Sequence, residues 1–205
     1  MFVLGDAIAS FLIWRRLTDL GYETERVIDF LLLSGLAGFG LSYLLPLNGL
    51  VLGFCLILFF FRRFRWDYWS VLDEVVYGLL PGLILFQLGN FFRGHLPGKP
   101  TQLPWGIYFP GDLLRRQPVA LYSALGLVLF WLFLKLIERR WRSWSWGKAK
   151  VGLIASLFLF FLSSINLLLA FCREMDLYSF WLELVLNLAV IGLAMKEVFW
   201  RQKIS

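Results

Sequence analysis

The sequence predicts an all-α, polytopic integral membrane protein of about seven transmembrane helices, with its N-terminus outside and its C-terminus inside. Three observations predict it. First, 60% of the 205 residues are hydrophobic, including 21 Phe and 10 Trp, and mean hydropathy is +0.72. Soluble domains hold about 45–50% apolar residues, so the natural solvent for this excess is lipid. Second, charged residues make up 17% of the chain and cluster between apolar runs. Third, Lys and Arg are divided unequally between alternate connecting segments.

The runs follow in order, measured against the roughly 20 residues a spanning helix needs. Phe2–Trp14 is short, and its flank or a tilt would complete it; no basic n-region precedes it, so it is expected to be retained rather than cleaved. Val27–Leu45 is the second run. Leu44-Leu45-Pro46-Leu47-Asn48-Gly49 reads as a tight turn into the third, Leu47–Phe61. Ser70–Phe92 is the fourth, with a kink expected at Pro81-Gly82. A Pro- and Gly-rich loop leads to the fifth run, Pro118–Ile137. Val151–Cys172 and Ser179–Trp200 complete the set, and the aromatic-basic stretch Trp141–Trp146 fits a membrane-interface belt. No internal repeat or soluble segment interrupts the series, so a single helical-bundle domain over 1–205 is expected, with a loop segment at 93–117.

Orientation follows from the basic residues. With the N-terminus outside, fourteen fall on inner segments: Arg15, Arg16, Arg26, Arg62, Arg63, Arg65, Arg139, Arg140, Arg142, Lys148, Lys150, Lys196, Arg201 and Lys203. Five fall on outer ones: Arg93, Lys99, Arg115, Arg116 and Arg173. That excess on one side predicts N-out and C-in. The net charge of +6 therefore belongs to membrane flanks, and no nucleic-acid motif accompanies it. Cys55 and Cys172 lie within apolar runs and read as small hydrophobes. A single histidine, His95, cannot build a His-rich metal site, and no cofactor is expected.

Polar residues inside lipid are candidate functional groups, although many only join helices. Gln87 and Asn90, three apart near the end of the fourth run, share a helix face, and Arg93, Gly94 and His95 extend that stripe to the surface. The loop adds turn signals at Pro104-Trp105-Gly106 and Pro110-Gly111, with Trp105 and Tyr108 suited to the headgroup layer. Its cations Arg93, Lys99, Arg115 and Arg116 would either bind a lipid phosphate or snorkel toward headgroups. In the sixth run Asn166, beside Ser163 and Ser164, needs a polar partner and points toward a shared bundle interior. No half-helix repeat or intramembrane acidic relay suggests a transporter.

These residues carry a family resemblance. LGN at 88–90, Gly94, LPGKPTQLPWGIYFP at 96–110 and RRQPVALY at 115–122 resemble the bacterial phosphatidylglycerol–prolipoprotein diacylglyceryl transferases. FVLGDAIASFLIWRRLTDLGY near the start, GLAGFGLSY at 35–43, NGLVLG at 48–53 and REMD at 173–176 extend the likeness nearly end to end. The resemblance implies a seven-span enzyme of the bacterial plasma membrane, acting on the outer face. Its partners would be phosphatidylglycerol, or another anionic phospholipid, and the signal peptide of a preprolipoprotein, whose lipobox thiol accepts the diacylglyceryl group. The thiol must be deprotonated to attack, and the departing glycerol phosphate is best met by arginine.

At several positions the residues differ from the family pattern. Gln87 stands where the family has Arg, His95 where it has Glu, Arg93 and Asn48 where it has Asn and His, and Gly40 where it has Arg. The Tyr, Arg and Glu of the sixth helix become Leu162, Asn166 and Ala170. Two alternatives follow. In a divergent transferase, Arg93 would meet the phosphate and His95 would act as base, histidine titrating near about 6.5. Asn90, Gln87, Gly94, Gly98, Lys99, Arg116, Tyr122, Asn166, Arg173 and Asn48 would line the lipid site. In a non-catalytic relative, the same groups would bind phospholipid or precursor without turnover.

Overall fold

Two helices that meet across glycines and an alanine form the spine of the fold. The computed structural model describes residues 2–36, 66–95, 97–141, 152–174 and 177–203, and the spine consists of α1 (Phe2–Asp19) and α3 (Tyr68–Phe92). A Cβ on Gly82 would stand 2.8 Å from both the Ala9 Cβ and the Gly5 carbonyl oxygen. One on Gly78 would stand 2.8 Å from the Ile13 backbone nitrogen. Side chains there would push the backbones apart, so small residues four apart on both helices allow direct contact. The helices run antiparallel, because Gly5 meets Gly82 while Arg16 reaches Glu74 (Nη1–Oε2 2.8 Å) toward the other end. The Arg16 guanidinium also lies 4.1 Å from the centroid of the Tyr77 ring.

A short turn leads from α1 into α2 (Thr24–Leu36), and its apolar face closes the lower core. Val27 and Phe30 pack with Ile13, Leu17, Trp66 and Val71. The Trp66 ring sits 5.1 Å from that of Tyr22 and 5.6 Å from that of Phe30. The remaining helices are α4 (Val119–Trp141), α5 (Leu153–Ala170) and α6 (Leu177–Lys203). Val76, Tyr77 and Leu80 of α3 meet Leu127, Phe130 and Leu134 of α4 and Ile154, Ala155 and Phe158 of α5 in the main core. Phe130 and Phe161 stack at 4.5 Å with 15° between planes.

The start of α5 is capped from outside its own sequence. Gly152, at φ +92°, offers no side chain, and Asp73 of α3 replaces it. The Gly152 N–H donates to Asp73 Oδ2 at 2.6 Å and the Ala155 N–H to Oδ1 at 2.8 Å. A carboxylate facing the positive end of a helix satisfies amides that apolar surroundings would leave stranded. It also sets α5 parallel to α3.

Three of these helices, Tyr68–Phe92, Val119–Ile137 and Leu153–Ala170, are long and apolar enough to cross a membrane. They coincide with the fourth, fifth and sixth predicted runs. The seventh falls on α6, where Leu177–Gly192 is a shorter apolar stretch. The first forms α1, whose 18 residues include Asp6, Arg15, Arg16 and Asp19 and so are less apolar than a span. The second begins in α2. Its end, the turn at Leu44–Gly49, the third run, Asn48, Cys55 and most of Trp141–Trp146 lie outside the described residues. Pro81, where the sequence predicts a kink, lies inside α3, which runs as one helix of 25 residues.

Replacing Asp73 by Ala should lower unfolding stability in detergent by about 1–2 kcal/mol, the usual cost of losing a helix cap. Thermal and denaturant melts followed by circular dichroism check it. Asp73→Asn, which keeps one acceptor oxygen, should fall between Ala and the parent.

Candidate functional site

The end of α3 is closed at a left-handed backbone position, which glycine adopts without steric cost. Gly94 has φ +68°; its N–H donates to Phe91 O at 3.0 Å, and the His95 N–H donates to Asn90 O at 2.9 Å. This paired pattern is a Schellman cap, which ends the helix sharply and turns the chain away. It leaves Arg93 and His95 exposed just past the last turn, while Asn90 one turn earlier is buried, 6% exposed. The Asn90 amide donates to Gln87 Oε1 at 3.4 Å, so the predicted shared face of these two residues exists.

Below this polar end lies a cleft of about 670 Å³ between α1 and α3. Asn90, Arg93 and His95 border it with Asp6, and Val3, Leu79, Leu83 and Phe86 supply apolar wall. Gly5, Ala9 and Gly82, the residues of the helix contact, also line it. Asn90, Arg93 and His95 make one end polar, and the rest of the wall is apolar apart from one carboxylate, so the cleft is an amphipathic container. Its wall also includes Asp6, which the sequence reading passed over; a carboxylate interrupting an apolar run was the available signal.

The loop after α3 is a folded cap. Strands β1 (Ile107–Tyr108) and β2 (Arg115–Arg116) pair antiparallel, Ile107 opposite Arg116 and Tyr108 opposite Arg115. The segment around Gly98–Thr101 joins β2, with the Gly98 N–H donating to Gln117 O at 2.9 Å and the Thr101 N–H to Arg115 O at 2.8 Å. Its other edge meets the end of α5, where the Lys99 N–H donates to Cys172 O at 2.8 Å and Gly98 bridges Arg173. A Cβ on Gly98 would lie 2.7 Å from the carbonyl oxygens of both Cys172 and Gln117, so glycine is required there.

Two predicted lipid-binding arginines are engaged inside this cap. Arg116 Nη1 donates to Gly98 O at 3.3 Å and pairs with Glu174, while Nε lies 2.9 Å from Asp112 Oδ2. The hydrogen bond to Glu174, with Asp112 adding to it, raises the Arg116 guanidinium above its ordinary value against a desolvation cost. Arg173 Nη1 lies 3.0 Å from Glu183 Oε1, tying the end of α5 to α6. Lys99 and Arg115 are exposed, and the Arg115 guanidinium sits 5.4 Å from the Tyr108 ring centroid.

Of the predicted site residues, the fold thus gathers Asn90, Arg93 and His95 on one cleft, with Gln87 behind Asn90 and Gly94 holding the turn. Gly98, Lys99, Arg116 and Arg173 assemble the cap instead. Tyr122, in the first turn of α4, and Asn166, on α5, are half-buried and do not line the cleft. Asn48 lies outside the described residues. Among the described residues no His, Cys, Asp and Glu side chains cluster as metal ligands would.

Comparison with known proteins places this geometry in context. A family profile described as prolipoprotein diacylglyceryl transferase matches residues 39–200. A phosphatidylglycerol–prolipoprotein diacylglyceryl transferase of Cupriavidus metallidurans is 31% identical over 149 residues, covering 69% of this chain and 51% of that protein. Its namesake from Cupriavidus pinatubonensis is 30% identical over 169 residues, covering 75% and 56% respectively. That from Brucella ovis is 30% identical over 207 residues, covering 90% of this chain and 69% of its own length. The chain spans little more than half the length of the two Cupriavidus proteins.

Gly98→Ala should cost about 1–3 kcal/mol, as overpacking at a rigid contact does. Hydrogen exchange at the Lys99 and Thr101 amides, measured in detergent, should show faster exchange in the variant. Gly192→Ala, on α6, whose Cβ would meet no atom within 4 Å and whose backbone is not left-handed, should leave those two amides protected.

Proposed function

The chain belongs to the prolipoprotein diacylglyceryl transferase family, and on that premise we propose that it moves diacylglyceryl from phosphatidylglycerol to the lipobox cysteine thiol of a preprolipoprotein. It would do so in the bacterial plasma membrane as one helical-bundle domain of about seven spans, N-terminus out and C-terminus in. The cap and the mouth of the cleft would then face outward. The excess of Lys and Arg on alternate segments supports that orientation.

The observation that carries the proposal is the amphipathic cleft between α1 and α3, with Arg93, His95 and Asn90 at its polar end. Its apolar wall suits acyl chains, and a cation at its mouth suits a phosphate. In this reading His95 takes the thiol proton. The thiolate then attacks the diacylglyceryl carbon, forming a C–S bond as the C–O bond to phosphate breaks and glycerol phosphate departs. Arg93 meets the charge that develops on the leaving phosphate. Asn90, held by Gln87, orients the headgroup.

A second reading, binding of phospholipid or precursor without turnover, is favoured by one specific observation. Arg116 and Arg173 are already matched by Asp112, Glu174 and Glu183, which leaves fewer cations to stabilise a leaving phosphate. Gln87 in place of an arginine points the same way.

Purified protein in vesicles containing phosphatidylglycerol, incubated with a lipobox peptide, should yield the diacylglyceryl-peptide adduct by mass spectrometry. Arg93→Ala should slow it by about 10²-fold, the cost of one leaving-charge donor, and His95→Ala by about 10²–10⁴-fold, as for a lost general base. No adduct, beside a family member that produces it in the same vesicles, removes the catalytic reading. Saturable phosphatidylglycerol binding without adduct would establish the second.

A further inference from the structure

The cap carries a second feature, on residues that do not line the cleft. The register of β1 and β2 places Tyr108 and Arg115 on one face of the hairpin and Ile107 and Arg116 on the other. Ile107 and Arg116 turn inward and are half-buried; Tyr108 is 60% exposed, with Arg115 against its ring. At the tip, Leu113 is 95% exposed and Leu114 59%. The turn that presents them is fixed. Phe109 is buried, the Asp112 N–H donates to Phe109 O at 3.0 Å, Asp112 pairs with Arg116, and Gly111 takes φ +89°. Two adjacent leucines held outward on an anchored turn are apolar surface that no part of the cap covers.

We propose that the 107–116 hairpin is a membrane-interface anchor, with Leu113 and Leu114 seated at the acyl boundary and Arg115 and Lys99 on anionic lipid phosphates. The position of the hairpin identifies lipid as the occupant. Its roots are the end of α3 at Phe92 and the start of α4 at Val119, two helices of membrane-spanning length and hydropathy. A segment of this kind therefore stands at the level where hydrocarbon gives way to headgroups. Its chemistry matches that layer: exposed Leu at the tip, exposed Trp105 and Tyr108 beside it, and exposed Arg115 and Lys99 next to them. None of the hairpin residues lines the cleft, so the anchor is separate from turnover and holds under either reading of function. Because the same hairpin is bonded to Gly98–Thr101, and through it to the end of α5, its seat in the bilayer sets the height of the whole cap.

The test places a bimane label at Leu113→Cys in a background carrying Cys55→Ala and Cys172→Ala. The protein is reconstituted in phosphatidylethanolamine–phosphatidylglycerol vesicles. Leu114→Cys serves as a second probe should the first variant fold poorly, and the exposed Gln102→Cys as a comparison site. Doxyl-labelled lipids should quench the Leu113 probe several-fold more than the Gln102 probe, and aqueous iodide should quench it several-fold less. Strong iodide quenching with no lipid quenching overturns the proposal. A probe shielded from iodide only after addition of a synthetic signal peptide, with its lipobox cysteine replaced by serine, also overturns it and assigns the face to the precursor.

Discussion

The contact between α1 and α3 governs both the packing and the proposed chemistry. Gly5, Ala9, Gly78 and Gly82 remove the side chains that would separate two helix backbones. In hydrocarbon, where burying apolar surface gives no preference for a protein neighbour over a lipid, close van der Waals approach is what holds helices together. The same absence of side chains leaves volume along the seam, and three of these residues line the cleft. Filling the seam would therefore act twice, pushing the helices apart and occupying the space proposed for a lipid. The Arg16–Glu74 pair ties α1 to α3 at the opposite end, where the Asp73 cap joins α3 to α5.

The cap divides its cations into two groups. Arg116 and Arg173 are spent on carboxylates and carbonyls that bind the loop to α5 and α6. Lys99 and Arg115 face outward, and Arg93 borders the cleft. A partly buried arginine with matched carboxylates stabilises a fixed geometry, because removing either partner strands the other charge. Counting positive residues in the loop therefore overstates the charge available to a phosphate. The distribution matters more than the total, and of these cations Arg93 is the one that lines the cleft.

Much of the helical layout was legible in the sequence, since an apolar run of span length has few alternatives once lipid is the solvent. The fourth, fifth and sixth runs matched helices to within a few residues, because each is bounded by turn formers or charges. The pairing of Gln87 with Asn90 was legible for a similar reason, three-residue spacing being local. What the sequence did not reveal were contacts between distant residues. Asp73 as the cap of α5, 79 residues away, has no local signature. Neither do the partners of Arg116 and Arg173, so both read as candidate lipid ligands. Nor could spacing show that Gly98 faces two carbonyls, or that the loop contains paired strands.

The family likeness can now be sorted by cause. Gly94 matches because the end of α3 needs a residue at positive φ, and Gly98 because two carbonyl oxygens leave no room for a Cβ. Arg116 and Arg173 match where the cap needs charge to hold its strands against α5 and α6. These matches report backbone geometry and internal pairing, and would persist in any protein that keeps this cap. The departures from the family pattern at 87, 93 and 95 fall elsewhere, with Arg93 and His95 on the cleft proposed for a lipid and Gln87 bonded to Asn90 beside it. A fold can be inherited through the first group while its chemistry is rewritten in the second. The proposed chemistry therefore turns on Arg93 and His95, two side chains at the cleft that the geometry of the cap does not account for.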